Sequence, residues 1–561
     1  MQRFPVMVAA GGINSAGRTS RRHAYRRIIR DDLSEPERFH TDSALMVMMG
    51  TDDLPCVLDH TLVREIEPEW FDYRAVPWHR KANLRNDQGE VSFEYVPGGV
   101  GDGSIRDGRI RTTENKRVHV TLNSEAEVML PSLREFEVSS AGQLPSGFRP
   151  GELYPSRNHP RALQMTIYAM SDALADLGIE WSDVISYVPA DAISVYVSSA
   201  MGQLDEAGSG GMLRSRLQGR KVTSKLCPLG FAQMPGDFIN SYVLRTLSVT
   251  GPALGACATF LYNLRLGAED IRSGRSRVAV VGAAEAPVNP EVMDGYIAMG
   301  ALATDKGLRE LDGLAKEIRP DNRRACRPFG ENCGFTMAES AQVVILMDDA
   351  LALEMGATIL AGVPFVSVRA DGAKKSISSP GAGNYLTVAE TVAQLRGILG
   401  DHRLRHAGLV QAHGTGTPQN RVSESTILSR VAGAFGIKEW PVAAIKSYLG
   451  HSLAAAAGDQ LTATLGIWQY GVIPPIKTID QLAEDVVADH LAFALSQQDG
   501  SSSDYAIINS KGFGGNNATA ALLSPNVMRA LIEKAHGKSV FKAWQQRNDK
   551  VLSRQEETES R

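Results

Sequence analysis

The sequence predicts an α/β fold whose sheets are covered on both faces, and three observations predict it. Short apolar runs rich in β-branched residues, at 193–197 (ISVYV), 277–283 (RVAVVGA) and 341–347 (AQVVILM), have the unbroken hydrophobicity of strands buried on both sides. Segments with helical apolar spacing alternate with them. The two halves, 1–250 and 251–525, carry similar strand–helix sets, as a duplicated fold would, and a charged helix-prone tail occupies 526–561.

Composition narrows the class. The 561 residues are 43% hydrophobic and 22% charged, an ordinary globular balance. A formal net charge of −4 gives no electrostatic reason to expect nucleic-acid binding. The five cysteines, Cys56, Cys227, Cys257, Cys326 and Cys333, are odd in number and irregularly spaced, which argues against a disulfide framework and for a reducing compartment. The start, MQRFPV, lacks a signal peptide's apolar core, and no apolar run approaches the roughly 20 residues needed to span a bilayer. The expectation is a cytoplasmic protein without membrane insertion.

In chain order, 5–10 (PVMVAA) reads as a buried strand before the turn at Gly11-Gly12. The arginines of 21–30 read as one solvated helix face. From 31 to 160 periodicity weakens, so this stretch reads as an insertion or cap, with hairpin strands at 109–113 and 118–122. Its glycine run (Gly98, Gly99, Gly101, Gly103) has no phosphate-loop spacing. Leu163, Ile167, Met170, Leu174 and Leu177 then mark a helix closed by Gly178. A flexible loop at 208–211 and a helix over 235–247 lead to the turn at Cys257. Beyond it, a charged loop covers 305–325. Helices are expected at 349–355, 386–399 and 460–470, and strands at 359–368 and 408–412, with a last strand at 506–509 and a surface appendage from 527.

The chemistry gathers around Gly255-Ala256-Cys257-Ala258-Thr259. Phe260, Leu261, Leu264 and Ile271 mark a helix opening at the cysteine, where unpaired N–H groups and the helix dipole favour thiolate. Four further segments stand out. His413 ends a strand in a glycine-rich turn, QAHGTGTP. Lys446 and His451 share the loop AIKSYLGH. NSKGFGGNN is a glycine loop around Phe513. Arg327-Pro328-Phe329 is followed by Gly334-Phe335 and Glu339. His402 and His406, one helical turn apart, lack a third ligand for a metal site.

With Cys257, these segments resemble the β-ketoacyl-acyl-carrier-protein synthase family, of the Cys-His-His type within the thiolase fold. The resemblance implies a thiolase-like duplicated five-layer αβαβα fold, here with a large insertion in the first half and a helical C-terminal tail. It implies that Cys257 is the acylated nucleophile, and that His413 and His451 hydrogen-bond the enolate left when malonyl thioester loses CO2. Lys446 would orient His413 and be neutralised by Glu339. Phe513 would gate the acyl pocket and, with Cys257, supply oxyanion-hole N–H groups. Thr415, Thr417, Gly512 and Gly514 would line the substrate. No metal is implied, and no cofactor beyond the pantetheine thioesters that are the substrates. The partners implied are an acyl carrier protein, acyl-CoA and a second copy of the chain. A basic rim for the acidic carrier would draw on Arg21, Arg22, Arg26 and Arg27, or on Arg220 with Lys221.

The chain departs from the family pattern at Arg421, where an aspartate is common, at Lys511 and Asn516 in the glycine loop, and at Ala454 and Ala457 after His451. With the insertion, these resemble the long subtype that starts fatty-acid synthesis from acetyl-CoA and malonyl-ACP. An elongating or discrete polyketide-type ketosynthase shares the same catalytic residues and stays open as an alternative. A thiolase would need a second cysteine beyond Cys333, and a Cys-His-Asn synthase an asparagine at His451. A non-condensing chain-length-factor-like subunit would lack Cys257.

Overall fold

The computed structural model describes residues 3–95, 108–112, 117–376 and 379–560. The glycine run at 98–103 and Thr113 lie outside the described residues. Eleven strands, with Gly17–Arg18, form one twelve-stranded mixed sheet. They are β1 (Pro5–Asn14), β2 (Ile193–Ser198), β3 (Val249–Thr250), β4 (Val278–Glu285), β5 (Ser340–Asp348), β6 (Ala361–Ala370), β7 (Gly408–Gln411), β8 (Trp440–Ala443), β9 (Leu491–Phe493), β10 (Tyr505–Gly512) and β11 (Asn516–Leu523). Their order is β9-β8-β7-β10-β11-β6-β1-β5-β4-β2-β3.

One pattern occurs twice in that order. β2 lies parallel to β4, which is antiparallel to β5, which is antiparallel to β1. Likewise β7 lies parallel to β10, β10 antiparallel to β11, and β11 antiparallel to β6. The halves join where Val6 and Met7 of β1 pair with Gly362 and Ala361 of β6. Each parallel pair needs a crossover, and the helices supply the layers: α1 (Arg161–Leu177), α2 (Thr259–Ser273), α3 (Gly383–His406), α4 (Pro418–Phe435), α5 (Ala456–Tyr470), α6 (Pro525–His536) and α7 (Lys538–Ser560).

Three apolar cores follow from this layering. The first packs α1 against the first half of the sheet, the second buries α2 and α5 between the halves, and the third packs α3 and α4 on the second half. The result is the five-layer arrangement expected. The middle layer is tight enough to require small residues. A Cβ on Gly458 of α5 would lie 2.5 Å from Gln342 Cβ in β5, so glycine is required there.

Several expectations change. The halves do not divide at 250, because β4 and β5 belong to the first sheet pattern; the junction lies between Asp348 and Ala361. The tail is no surface appendage: Met528, Ile532, Trp544 and Val551 are buried in the first core. The loop at 208–211 opens a helix, Ser209–Leu217, and the charged stretch after Thr304 begins with helix Asp305–Leu311, capped by the Thr304 side chain. A final strand, β11, was not anticipated, because NNATAALL is alanine-rich and lacks β-branched bulk. The insertion holds a ribbon of Val76–Tyr95 against Val118–Arg134, with Gly108–Thr112 as its third strand, so the two hairpin expectations describe one sheet.

The arginines of 21–30 are not a solvated face. Arg22, Arg26 and Arg27 are buried. Arg21 donates to Glu559 of α7 at 2.8 Å, Arg27 to Thr61 at 2.9 Å, and Arg30 grips Asp42 through two 2.7 Å bonds. Arg21 therefore ties the start of the chain to its last helix, Arg27 and Arg30 brace the segment that follows, and the group forms no carrier-facing rim. Among the described residues no helix is long and apolar enough to cross a membrane.

Candidate active site

The duplication explains why two distant segments meet. α2 is preceded by the 3₁₀ turn Ala256–Ala258 and α5 by the 3₁₀ turn Leu453–Ala455, and the helices lie side by side in the middle layer. Cys257 sits in the first turn and His451 two residues before the second. Ala256 has φ +49° and Leu453 φ +47°, left-handed values that cost a residue with a Cβ about 1–3 kcal/mol. Surrounding contacts hold the cysteine turn in place. Ser510 Oγ donates to Cys257 O at 2.8 Å, and Gly255 N–H donates to Thr259 Oγ1 at 3.0 Å. Gly512 lies flat against this turn, where a Cβ would sit 2.4 Å from Gly255 O. Gly514, at φ +88°, turns β10 into β11, and Asn516 Nδ2 donates to Phe513 O at 2.7 Å.

The backbone N–H groups of Cys257 itself and of Phe513 act on Cys257 Sγ in the direction that favours negative charge there. The side chain is buried in an apolar cluster with Met293, Tyr296, Phe335, Met337 and Leu453, against which Phe513 packs. Burial pushes its thiol up to about 12; the Lys446 ammonium pulls it back, and the Glu285 carboxyl adds to the rise. This corrects the expectation of a thiolate at the helix terminus. Desolvation of a charged sulfur outweighs the dipole, so the resting group is a thiol.

His413 and His451 come together as expected. Their ring centroids are 5.4 Å apart and the planes perpendicular. Phe335, from the Cys257 cluster, meets His451 edge-on at 5.0 Å. Both Nδ1 atoms are buried without a hydrogen-bond partner among the described residues. Burial first, and the Lys446 ammonium second, hold both imidazoles well below their usual range, so both are neutral. Lys446 Nζ donates to His413 O at 2.6 Å.

Glu339 does not neutralise Lys446. Its carboxylate is held by Arg161 through bonds of 2.6 and 2.9 Å and accepts Leu144 N–H at 3.0 Å. The carboxylate acting most strongly on Lys446 is Glu424, one turn into α4. Glu424 accepts the N–H groups of His413 and Gly414 at 2.6 and 2.8 Å, and the side chains of Asn509 and Asn420 at 2.7 and 2.9 Å. Gln460 Nε2 donates to the carbonyls of Gln411, Ala412 and Asn509, pinning the strand end that presents His413. Glu285, whose carboxyl burial pushes up to about 8, lies at the end of β4 and accepts Met201 N–H at 3.2 Å. Nothing in the spacing of Glu424, Gln460 and Glu285 separates them from ordinary helix and strand residues, while Asn509 opens the NSKGFGGNN segment without a role of its own expected there.

The remaining expected residues are placed as follows. The Thr415 and Thr417 hydroxyls are 3.1 Å apart, and Thr417 caps α4. Arg421 grips Asp485 at 2.7 and 3.0 Å, a wholly structural use of the departure from aspartate. Lys511 Nζ donates to Ser423 Oγ at 2.9 Å. The His402 and His406 rings lie 5.0 Å apart, tilted at 52°, and among the described residues no three His, Cys, Asp or Glu side chains are grouped to hold a metal ion. The arrangement can do two things: hold charge on an oxygen near Sγ with two N–H groups, and offer two uncharged imidazole donors beside it.

Residues 153–352 match the family described as beta-ketoacyl synthase, N-terminal domain, and residues 360–480 its C-terminal domain. The gap between the matches falls at the β5–β6 junction. The chain is 46% identical to the beta-ketoacyl-[acyl-carrier-protein] synthase FabY of Pseudomonas aeruginosa, over 98% of this chain and 90% of that one. Its structure is similar to the crystal structure of the noncanonical ketosynthase FabY from P. aeruginosa, with a TM-score of 0.96, 45% identity, and coverage of 99% and 91%. It is 28% identical to the 3-oxoacyl-[acyl-carrier-protein] synthase 2 of Vibrio cholerae, over 66% of this chain and 84% of that one.

Proposed function

The chain belongs to the β-ketoacyl-acyl-carrier-protein synthase family, and from that premise we propose that it condenses an acetyl starter from acetyl-CoA with malonyl-acyl-carrier-protein to give acetoacetyl-acyl-carrier-protein. Cys257 Sγ attacks the starter thioester. The carbonyl oxygen takes the developing charge toward the N–H groups of Cys257 and Phe513, the C–S bond to coenzyme A breaks, and the thiol proton leaves with coenzyme A. Malonyl thioester then loses CO2, leaving the electron pair on an enolate whose oxygen accepts hydrogen bonds from His413 and His451. The enolate carbon attacks the acyl carbon and expels the Cys257 thiolate, which takes a proton from solvent. Lys446 holds the His413 backbone and keeps both imidazoles neutral. Thr415 and Thr417 are assigned to the substrate path.

The observation that carries this reading is that Cys257 shares its apolar cluster with Phe335, which meets His451 edge-on, while the His413 ring lies beside that of His451. The short starter is supported by Met293, Tyr296, Phe335 and Met337, whose bulk surrounds Cys257. Arg220 and Lys221, both exposed, are the members of the expected basic rim that could meet an acidic carrier. A homodimer through the β3 edge belongs to the same proposal. A primer panel tests the starter: acetyl-CoA should acylate Cys257, by mass, and support turnover above any medium or long acyl-ACP. Equal or faster use of long primers overturns it.

A further inference from the structure

A cavity of about 320 Å³ opens among the N-terminus of α6, the last turns of α5, the loop at 500–504 and the turn at Arg22. None of its wall belongs to the Cys257 site. Its volume sits at the lower end of small-molecule sites.

The wall is rich in unused donors. Arg22 is only 8% exposed, yet its guanidinium hydrogen-bonds nothing and pairs with no carboxylate among the described residues, and its Nε is buried and orphaned. The carboxylate whose field reaches it most strongly, Asp176, is spent on Ala10 N–H at 2.9 Å. Arg529, one turn beyond the start of α6, is likewise unpaired with an orphaned Nε, and Trp468 Nε1 has no acceptor. The loop brings three consecutive serines, Ser501, Ser502 and Ser503, to the same wall.

Three acceptors on the wall are occupied. Asp504 Oδ2 takes Arg403 Nε at 2.6 Å, Thr358 Oγ1 takes Asn548 Nδ2 at 3.0 Å, and Ser524 Oγ caps α6 through Val527 N–H at 3.4 Å. Burial lowers both arginines from their ordinary range, and for Arg22 the Asp176 carboxylate offsets only part of that. Two guanidinium groups unpaired among the described residues, the hydroxyls of Ser502 and Ser503 and a twelve-residue helix starting at the wall make an anion cradle.

We propose that this cavity binds the phosphate or diphosphate group of a small phosphorylated molecule, at a site separate from the Cys257 centre. Arg22 and Arg529 grip the oxyanion, the serine hydroxyls and the α6 N-terminus complete its shell, and the indole of Trp468 borders the organic part.

Calorimetry on the full-length protein in chloride buffer tests this, with inorganic phosphate, pyrophosphate and ADP as probes. None of these carries the pantetheine arm of the substrates, and Cys257→Gln should bind them unchanged, so failure here is separable from failure of the condensation reading. At least one probe should bind at one site per chain and raise the melting temperature. Saturation by phosphate or pyrophosphate alone identifies a bare-anion site; tighter binding of ADP identifies a nucleotide. Arg529→Gln, at a half-buried rim position, should weaken binding by about tenfold or more. Arg22→Gln should do the same where it folds. Absence of binding by all three probes at roughly 1 mM, or affinity unmoved in Arg529→Gln, overturns the proposal.

Discussion

At the residue scale the site is decided by burial. A cysteine at a helix mouth reads as a thiolate from sequence, yet the apolar cluster around Cys257 keeps it a thiol, and the same burial keeps His413 and His451 neutral beside a lysine. Neutral imidazoles are the form that can donate to an enolate while the second nitrogen stays unprotonated. Cys257→Gln should therefore lose condensation but still decarboxylate malonyl-acyl-carrier-protein. Adding His451→Ala should lower that decarboxylation about 10²–10³-fold. The pH dependence has a fixed sign. Both histidines have folded values below the unfolded 6.5, so the folded state binds fewer protons than the unfolded chain as pH falls. Stability is lost below about pH 6.5, while decarboxylation by Cys257→Gln should stay level from pH 8 to 6. A tenfold fall across that window, read by CO2 release, would mean an imidazole titrates there. Cys257, His413, Lys446 and His451 were legible because nucleophile and donors stand in glycine-rich turns. Glu424 was not, since a carboxylate one turn into a helix has no sequence signature. Glu339 was assigned to Lys446 by resemblance alone, and Arg161 claims it.

At the element scale, strands with branched side chains and helices with strong periodicity were legible, and elements built from small or charged residues were not. β11 is mostly alanine and asparagine, and its pairing with β10 and β6 supplies what its side chains lack. Arg21 and His23 read as solvated because their partner, Glu559, lies at the far end of the chain. The tail reads as charged because one face of α7 is charged, while Trp544 and Val551 point into the α1 core. Trp544 also donates to Ala357 O at 3.0 Å. Trp544→Ala leaves both a cavity and an unpaired carbonyl, and should cost about 3–5 kcal/mol. Leu552→Ala, on the exposed side of the same helix, should stay within about 0.5 kcal/mol. Urea unfolding of the two variants checks this; equal midpoints would return the tail to the status of an appendage.

At the scale of the whole molecule, the duplicated sheet ends in two edge strands, β9 and β3, and β3 lies on the side of Cys257. Among the described residues β3 pairs only with β2, through Val249 and Thr250, and its outer edge is unpaired. Leu247 beside it is 92% exposed, and Val249, Leu254, Tyr242 and Phe231 are exposed nearby. An apolar, unpaired edge is a pairing surface, and under the proposed dimer a second copy related by two-fold symmetry would cover it with an identical edge. The consequence reaches the chemistry, because only 251–256 separates this edge from Cys257, and Ala256 is held in a strained backbone state. A partner edge would fix the start of that segment as Gly512 and Ser510 fix its end. Leu247→Asp combined with Val249→Asp should halve the mass seen by light scattering and slow acylation of Cys257, while leaving the circular dichroism of the fold in place. A double variant that stays dimeric would place the contact elsewhere. One that becomes monomeric with unchanged acylation would separate assembly from the strained turn, leaving the turn's geometry to the intrachain clamps alone.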